Sequence, residues 1–180
     1  MLPNPASRTH LHKRELTFNG YAREDGLWDI EGRLCDIKST PFNAGDRVWP
    51  PGEAIHDMSI RLTVDQELMI KDIEVSMDAN PHPECPEVLP LMKKMIGCRI
   101  GKGWRKAIDN NIGGITGCTH LRELLSSMAT AAFQSVPGIL ISTDSSKPPL
   151  FLGKCQSWDI SGPVVLRHFP QFYRGKTTLE

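Results

Sequence analysis

The sequence lacks the features that would place it at once in several broad classes of proteins. Its 21 basic and 21 acidic residues leave no net charge over 180 residues, so a generally basic, nucleic-acid-binding surface is not expected. No apolar run approaches the roughly 18 residues of a membrane-spanning helix. The segment Met1–Pro5 has no apolar signal core, so we expect a cytoplasmic protein without nucleic-acid or membrane partners.

Several familiar chemical motifs are also missing. The five cysteines are odd in number and widely spaced, and no C-x-x-C occurs, which favours free thiols over a disulfide framework. The absence of a Walker loop, a G-x-S-x-G elbow, an H-E-x-x-H string and a Rossmann fingerprint argues against ATP hydrolysis, serine-hydrolase and zincin chemistry. What is present is a chain with 39% hydrophobic residues, enough to form a core without disulfides or a structural metal.

The first half of the chain predicts two β-hairpins joined by a proline-rich loop at residues 39–54. Residues 14–38 contain the turn signal Asp25-Gly26, followed by alternating apolar and charged residues. Alternation resumes at Met58–Val64 and predicts a second hairpin whose register places His56 opposite Met77. Both hairpins should therefore be amphipathic, with one face on a core.

Helical periodicity replaces this alternation after Pro86. Helices are predicted over residues 86–97, 102–110 and 119–136, the last with an apolar stripe over four turns. The tail contains two short strand-like pieces, Ile139–Ser142 and Val164–Phe169. Strands first and helices later predict an α+β fold, an antiparallel sheet with helices packed on one face.

The string Gly117-Cys118-Thr119-His120-Leu121 places a thiol and an imidazole where the third helix begins. Unpaired backbone N–H groups and the helix dipole favour a thiolate there. A buried cysteine beside a capping turn explains the string equally well, and both interpretations stay open.

Three further groups of residues are candidates for chemistry. In the pair His56-Asp57 the carboxylate would orient an imidazole or bind a metal, and Cys85 lies in a stiff proline-rich loop. Asp29 and Glu31 share one strand face and are a candidate acid/base pair, although a solvated surface is the simpler explanation. Residues 88–108 contain six basic and no acidic residues, which indicates an anion site with three candidates at a spacing of three: Arg99, Lys102 and Arg105.

Residues 10–173 resemble the uncharacterised bacterial family DUF2889. Five strings carry this resemblance: His10-x-His12-x-Arg14, Asp25-Gly-Leu-Trp-Asp-Ile-Glu-Gly32, His56-Asp-Met58, Arg99-Ile-Gly-x-Gly-Trp-Arg105 and Gly117-Cys-Thr-His-Leu121. The resemblance implies a role in the breakdown of aromatic compounds, at the step that cleaves an aroyl-acetyl-CoA.

Residues 56–134 are also similar in layout to iron–sulfur scaffold proteins of the NifU/IscU type. The resemblance implies that His56, Asp57, Cys118 and His120 converge at one end of the sheet. It also implies a metal set of four residues: His56, Cys85, Cys118 and His120. The chain departs from the scaffold pattern in two places, because His56 stands where a cysteine is expected and His120 follows the last cysteine.

The predicted organisation is a flexible arm at residues 1–9, a single domain at 10–173 and a tail at 174–180. Within the domain, 10–50 form an N-terminal hairpin region, 56–136 a NifU/IscU-like core and 139–173 a C-terminal extension with strands. The oligomeric state is left open, a homo-oligomer included.

Two functions follow from these candidates. The favoured one is a hydrolase that cleaves a β-keto acyl-CoA, with His56, Asp57, Cys118 and His120 as catalytic residues. In that hydrolase three basic residues, Arg99, Lys102 and Arg105, would hold the phosphates of coenzyme A, and Trp28 or Trp104 would line an aromatic pocket. The alternative is a carrier that binds zinc or iron, or an iron–sulfur cluster, without turnover.

Overall fold

The computed structural model describes residues 1–45, 47–139 and 146–175. Six strands occur in these residues: β1 (His12–Ala22), β2 (Trp28–Lys38), β3 (Phe42–Ala44), β4 (Arg47–Trp49), β5 (Ala54–Val64) and β6 (Ile70–Ala79). The α-helices of the same residues are α1 (Trp104–Ile112), α2 (Thr119–Ser135) and α3 (Pro163–His168). Short 3-10 helices are found at Cys85–Met95, Gly114–Thr116, Gln156–Trp158 and Pro170–Phe172.

The main sheet has four antiparallel strands in the order β1-β2-β5-β6, and β3 and β4 form a separate small hairpin. Helix α2 packs against β1, β2 and β5, while the 3-10 helix Cys85–Met95 packs against β6. The predicted α+β architecture with an antiparallel sheet and helices is therefore confirmed. The segment predicted as a loop at 39–54 contains the small hairpin.

The core lies between the sheet and α2. Alternate residues of β2 are buried, from Ile30 through Gly32 and Leu34 to Asp36. The apolar stripe of α2 faces them and is buried at five positions: Leu121, Leu124, Leu125, Met128 and Ala132. Because strand side chains alternate between faces, every second residue of β2 must fit beneath this helix.

The register of the second hairpin differs from the prediction by two residues. Met58, not His56, lies opposite Met77. The reason is a longer turn, in which the side chain of Asp65 accepts hydrogen bonds from the backbone N–H groups of Glu67 and Met69. Between Met58 and Thr63 a shift of two residues leaves the side chains on their predicted faces, because the period of a strand is two.

The helical segments differ from the prediction in their details. The predicted helix at 86–97 is a 3-10 helix, since Pro90 lies inside it and lacks the N–H of an α-helical hydrogen bond. The strand predicted at Val164–Phe169 is wrong, because Pro163 opens a short helix, α3, over these residues. The other predicted C-terminal strand, Ile139–Ser142, lies outside the described residues apart from its first position.

The chain divides into two compact units, Met1–Ser135 and Val136–Glu180. The first contains the main sheet, α1 and α2; the second contains α3 and an aromatic cluster of Phe151, Trp158 and Phe169. The single domain at 10–173 remains a prediction. In the described ranges no helix has the length and apolar character needed to cross a bilayer.

We expect Gly20→Ala to destabilise the first unit, because Gly20 lies against the end of α2. A methyl group built on Gly20 would overlap Oγ and Cβ of Ser135. The helix end must shift, at a cost of about 1–3 kcal/mol in the free energy of unfolding. Denaturant unfolding of Gly20→Ala beside Asn19→Ala, an exposed position on the same strand, measures this loss. Equal midpoints for the two variants would contradict this packing.

Candidate functional site

A row of polar side chains crosses the buried face of the sheet at one end. In the register of the strands, Arg14 of β1 lies opposite Asp36 of β2, which lies opposite His56 of β5. Directly paired residues on one face have Cβ atoms about 4.5–5.5 Å apart. A β-bulge follows at Asp36/Ile37, a common feature beside functional sites.

The start of α2 completes the site from above. His120 lies in its first turn, and the His120 and His56 rings stack with centroids 3.9 Å apart. Glu123, one turn further, accepts a 2.6 Å hydrogen bond from Arg14 Nη1. The helix start and the strand row are therefore joined by both an imidazole stack and an ion pair.

Asp36 is the centre of the site and is only 3% exposed. Arg14 donates to both carboxylate oxygens at 2.7 Å, from Nε and Nη2. His12 Nε2 lies 3.0 Å from Oδ1 and His56 Nδ1 lies 3.0 Å from Oδ2. His120 Nε2 is 3.8 Å from Oδ2. We call these five residues the Asp36 cluster: Asp36, His12, Arg14, His56 and His120.

The charges of the cluster decide its ionisation. Burial raises the pKa of Asp36, but the hydrogen bonds and charge of Arg14, with His12 and His56, outweigh it and lower the pKa to about 2. Burial lowers the pKa of His56, and the neighbouring His120 adds to this effect. Burial and the charge of Arg14 likewise lower the pKa of His120. The site therefore holds a carboxylate beside the neutral imidazoles of His56 and His120 at neutral pH.

Of the four predicted catalytic residues, the structure brings three together. Cys118, half-buried just before α2, has its Sγ 3.8 Å from Nδ1 of His120. Asp57 is separated from them, because neighbouring residues on a strand point to opposite faces. Its carboxylate instead accepts hydrogen bonds of 2.7 and 2.5 Å from Arg33 on the outer face of the sheet.

The predicted metal set is only partly assembled. Among the described residues, one group of three possible ligands has its atoms within 4.8 Å of one another, and it consists of Asp36, His56 and His120. Neither Cys85 nor Cys118 belongs to this group. Cys85 begins the 3-10 helix that packs against β6.

The three predicted anion-binding residues have different surroundings. Arg99 donates from Nε to the backbone carbonyl of Glu67 at 2.9 Å, and Lys102 is exposed. Arg105 lines a cavity of about 270 Å³ beside the start of α2, together with Thr119, Arg122 and Glu123. Because Thr119 and Glu123 flank His120 in the helix, this cavity is next to the Asp36 cluster.

Other predicted residues have structural roles. Trp104 is 5% exposed and donates from Nε1 to the carbonyl of Leu125, so it belongs to the core. Asp29 accepts a hydrogen bond from Thr63 Oγ1 at 2.7 Å, whereas Glu31 lies 3.9 Å from Arg61. The two carboxylates therefore have separate partners.

Sequence reasoning missed the centre of the site. The alternation that makes Ile30 and Leu34 buried also places Asp36 on the apolar face, and a carboxylate at such a position signals a partner. His12 and Arg14 were present in a family string without an assigned role. Only the sheet register shows that their partner is Asp36.

Comparison with known proteins gives one match. A family model described as "Protein of unknown function (DUF2889)" matches residues 12–134. No curated protein matches the chain, and no solved structure does. The matched range extends over the whole Asp36 cluster.

Proposed function

The chain belongs to the DUF2889 family of proteins of unknown function, and we propose that it is a hydrolase that cleaves a β-keto acyl-CoA. One observation carries the proposal, the hydrogen bond between His56 Nδ1 and Asp36 Oδ2. A carboxylate only accepts, so Nδ1 bears the proton and the lone pair of His56 lies on Nε2. An imidazole held in this way by a buried carboxylate is suited to act as a general base.

The proposed reaction is a hydrolytic retro-Claisen cleavage of an aroyl-acetyl-CoA. His56 Nε2 takes a proton from water as the water oxygen bonds to the ketone carbon. The bond between that carbon and the methylene group then breaks, and the enolate of acetyl-CoA leaves with the electron pair. The imidazolium formed at His56 returns this proton to the enolate carbon, with the stacked His120 as the candidate relay, and both rings end neutral. The products are an aromatic carboxylic acid and acetyl-CoA.

The surroundings of the cluster support a coenzyme A substrate. The cavity beside α2 is lined by Arg105 and Arg122, two guanidinium groups suited to phosphates, and also by the carboxylates of Asp109 and Glu123, of which Asp109 lies 3.8 Å from Arg122. The first-turn N–H groups of α2 have no partner within the helix and would stabilise the oxyanion formed on the ketone. Cys118 lies beside His120 and would hold that ring in place.

The test is an incubation of the purified protein with an aroyl-acetyl-CoA in water enriched in the heavy oxygen isotope. Attack on the ketone places the label in the aromatic acid and leaves the thioester intact in acetyl-CoA. Attack on the thioester instead places the label in the aroyl-acetate and releases free coenzyme A. Absence of both products would remove the hydrolase function.

We expect Arg105→Ala to raise KM without lowering kcat. Arg105 lines the cavity and not the Asp36 cluster, so its contacts would stabilise the bound substrate and the transition state equally. An exposed charge contributes on the order of 1 kcal/mol, so KM should rise roughly 3- to 10-fold. The control is Lys102→Ala, whose exposed side chain does not line that cavity. An equal increase in KM in Lys102→Ala would contradict the location of the phosphates in this cavity.

A second candidate is a metal or iron–sulfur carrier of the NifU/IscU kind, using His56, Cys85, Cys118 and His120. The observation that favours it is the proximity of Cys118, His56 and His120 at the start of α2. A carrier of this kind depends on thiolate ligands. Loss of bound metal in Cys118→Ser would support it, and retention would exclude it.

A further inference from the structure

The open side of the Asp36 cluster has the dimensions of a metal site. Asp36, His56 and His120 each present one ligand atom, and these atoms lie within 4.8 Å of one another. Asp36 Oδ2 is 3.0 Å from His56 Nδ1 and 3.8 Å from His120 Nε2. Tetrahedral bonds of about 2.0–2.1 Å to an ion place neighbouring ligand atoms roughly 3.3 Å apart. The two observed distances bracket this value.

The three residues come from rigid and different elements: Asp36 from β2, His56 from β5 and His120 from α2. His12 binds Oδ1 of Asp36, and Arg14 binds both Oδ1 and Oδ2, so these two residues would orient the carboxylate as outer-shell partners. Glu123 pairs with Arg14, so two carboxylates face one guanidinium, and these three groups together have a net formal charge of minus one. That charge favours a divalent cation.

We propose that Asp36, His56 and His120 bind a divalent transition-metal ion of the zinc or iron(II) class. Two imidazole nitrogens and one carboxylate oxygen are a ligand set that these ions share, and a three-residue set leaves a position for water or substrate. This set replaces the thiolate set predicted from the sequence. The ion would take the place of the proton on His56 Nδ1, so the metal-bound form and the hydrolytic form of His56 are alternatives, and the proposal rests on the geometry of the three residues.

The test measures metal binding alone. Full-length protein is stripped with a chelator, dialysed against micromolar zinc, and analysed for metal content; cobalt(II) is then bound in its place and its visible spectrum recorded. We expect about one ion per chain and a cobalt spectrum without thiolate charge transfer. Loss of an outer-shell partner typically weakens metal affinity by about 10–100-fold. We expect His56→Ala and His120→Ala, which remove ligands, to weaken binding at least as much.

Two control variants define the site. His82→Ala removes an exposed imidazole outside the cluster, and Cys118→Ser removes the neighbouring thiol, so both should bind like the parent. Circular dichroism checks folding, and His120→Asn replaces His120→Ala if the latter unfolds. Three results would each overturn the proposal: unchanged binding in the His56 and His120 variants, loss of the ion in Cys118→Ser, or no stoichiometric ion in the parent. A protein that binds the ion but leaves the aroyl-acetyl-CoA uncleaved would lose the hydrolase function and keep the metal site.

Discussion

Replacement of His56 by alanine is expected to lower the turnover of an aroyl-acetyl-CoA by about 10²–10⁴-fold, the usual contribution of a general base. The imidazole of His56 is held by Asp36 at 3.0 Å and lies against His120. Alanine therefore removes the base and leaves its position empty. Because the loss concerns proton transfer in the transition state, kcat should fall and KM should change little. Steady-state kinetics on folded protein measures both constants.

The adjacent residue provides a matched control for this prediction. Asp57→Ala removes a carboxylate one position along β5, but on the outer face and paired with Arg33. Its turnover should stay near that of the parent. If His56→Ala hydrolyses the substrate at the parent rate, or if Asp57→Ala loses as much activity, the Asp36–His56 pair is not the catalytic base.

Replacement of Asp36 by asparagine is expected to lower the stability of the first unit. Asp36 is almost fully buried and receives two hydrogen bonds from Arg14 and one each from His12 and His56. Removing one partner of a buried ion pair typically costs about 3–5 kcal/mol. The Arg14 side chain is 30% exposed and can turn partly toward water, so we expect about 2–4 kcal/mol. Denaturant unfolding at neutral pH measures this difference.

The dependence on pH separates the charge of Asp36 from its packing. The pKa of Asp36 is about 2 in the folded protein against an ordinary value of 3.8, so the stabilisation is complete above about pH 5 and is lost as the pH falls toward 2. This difference corresponds to about 2 kcal/mol. The parent should therefore lose more stability than Asp36→Asn between pH 5 and pH 2. If the free energies of unfolding of the two proteins fall in parallel with pH, the assigned role of the carboxylate is contradicted.

The part of the site at the start of α2 could be predicted from the sequence, whereas the partner of His56 could not. The first depends on local features of the chain and the second on the pairing of strands. Cys118 and His120 could be found because a helix start is a local feature, visible in its glycines and in the apolar stripe that follows. Asp57 was chosen as the partner of His56 because it is the neighbouring residue. In a strand, neighbouring residues point to opposite faces, so the true partner had to come from another strand.

Periodicity along the chain predicts the local elements: the two long hairpins, the apolar face of β2 and the stripe of α2. Each depends on a period of two or 3.6 residues, which is set by backbone geometry and can be read from the chain. The tertiary structure alone decided which side chains meet, because Arg14, Asp36, His56 and His120 belong to four different elements. Their meeting depends on strand order and register and on the placement of α2 over one end of the sheet, which long-range burial of apolar surface selects.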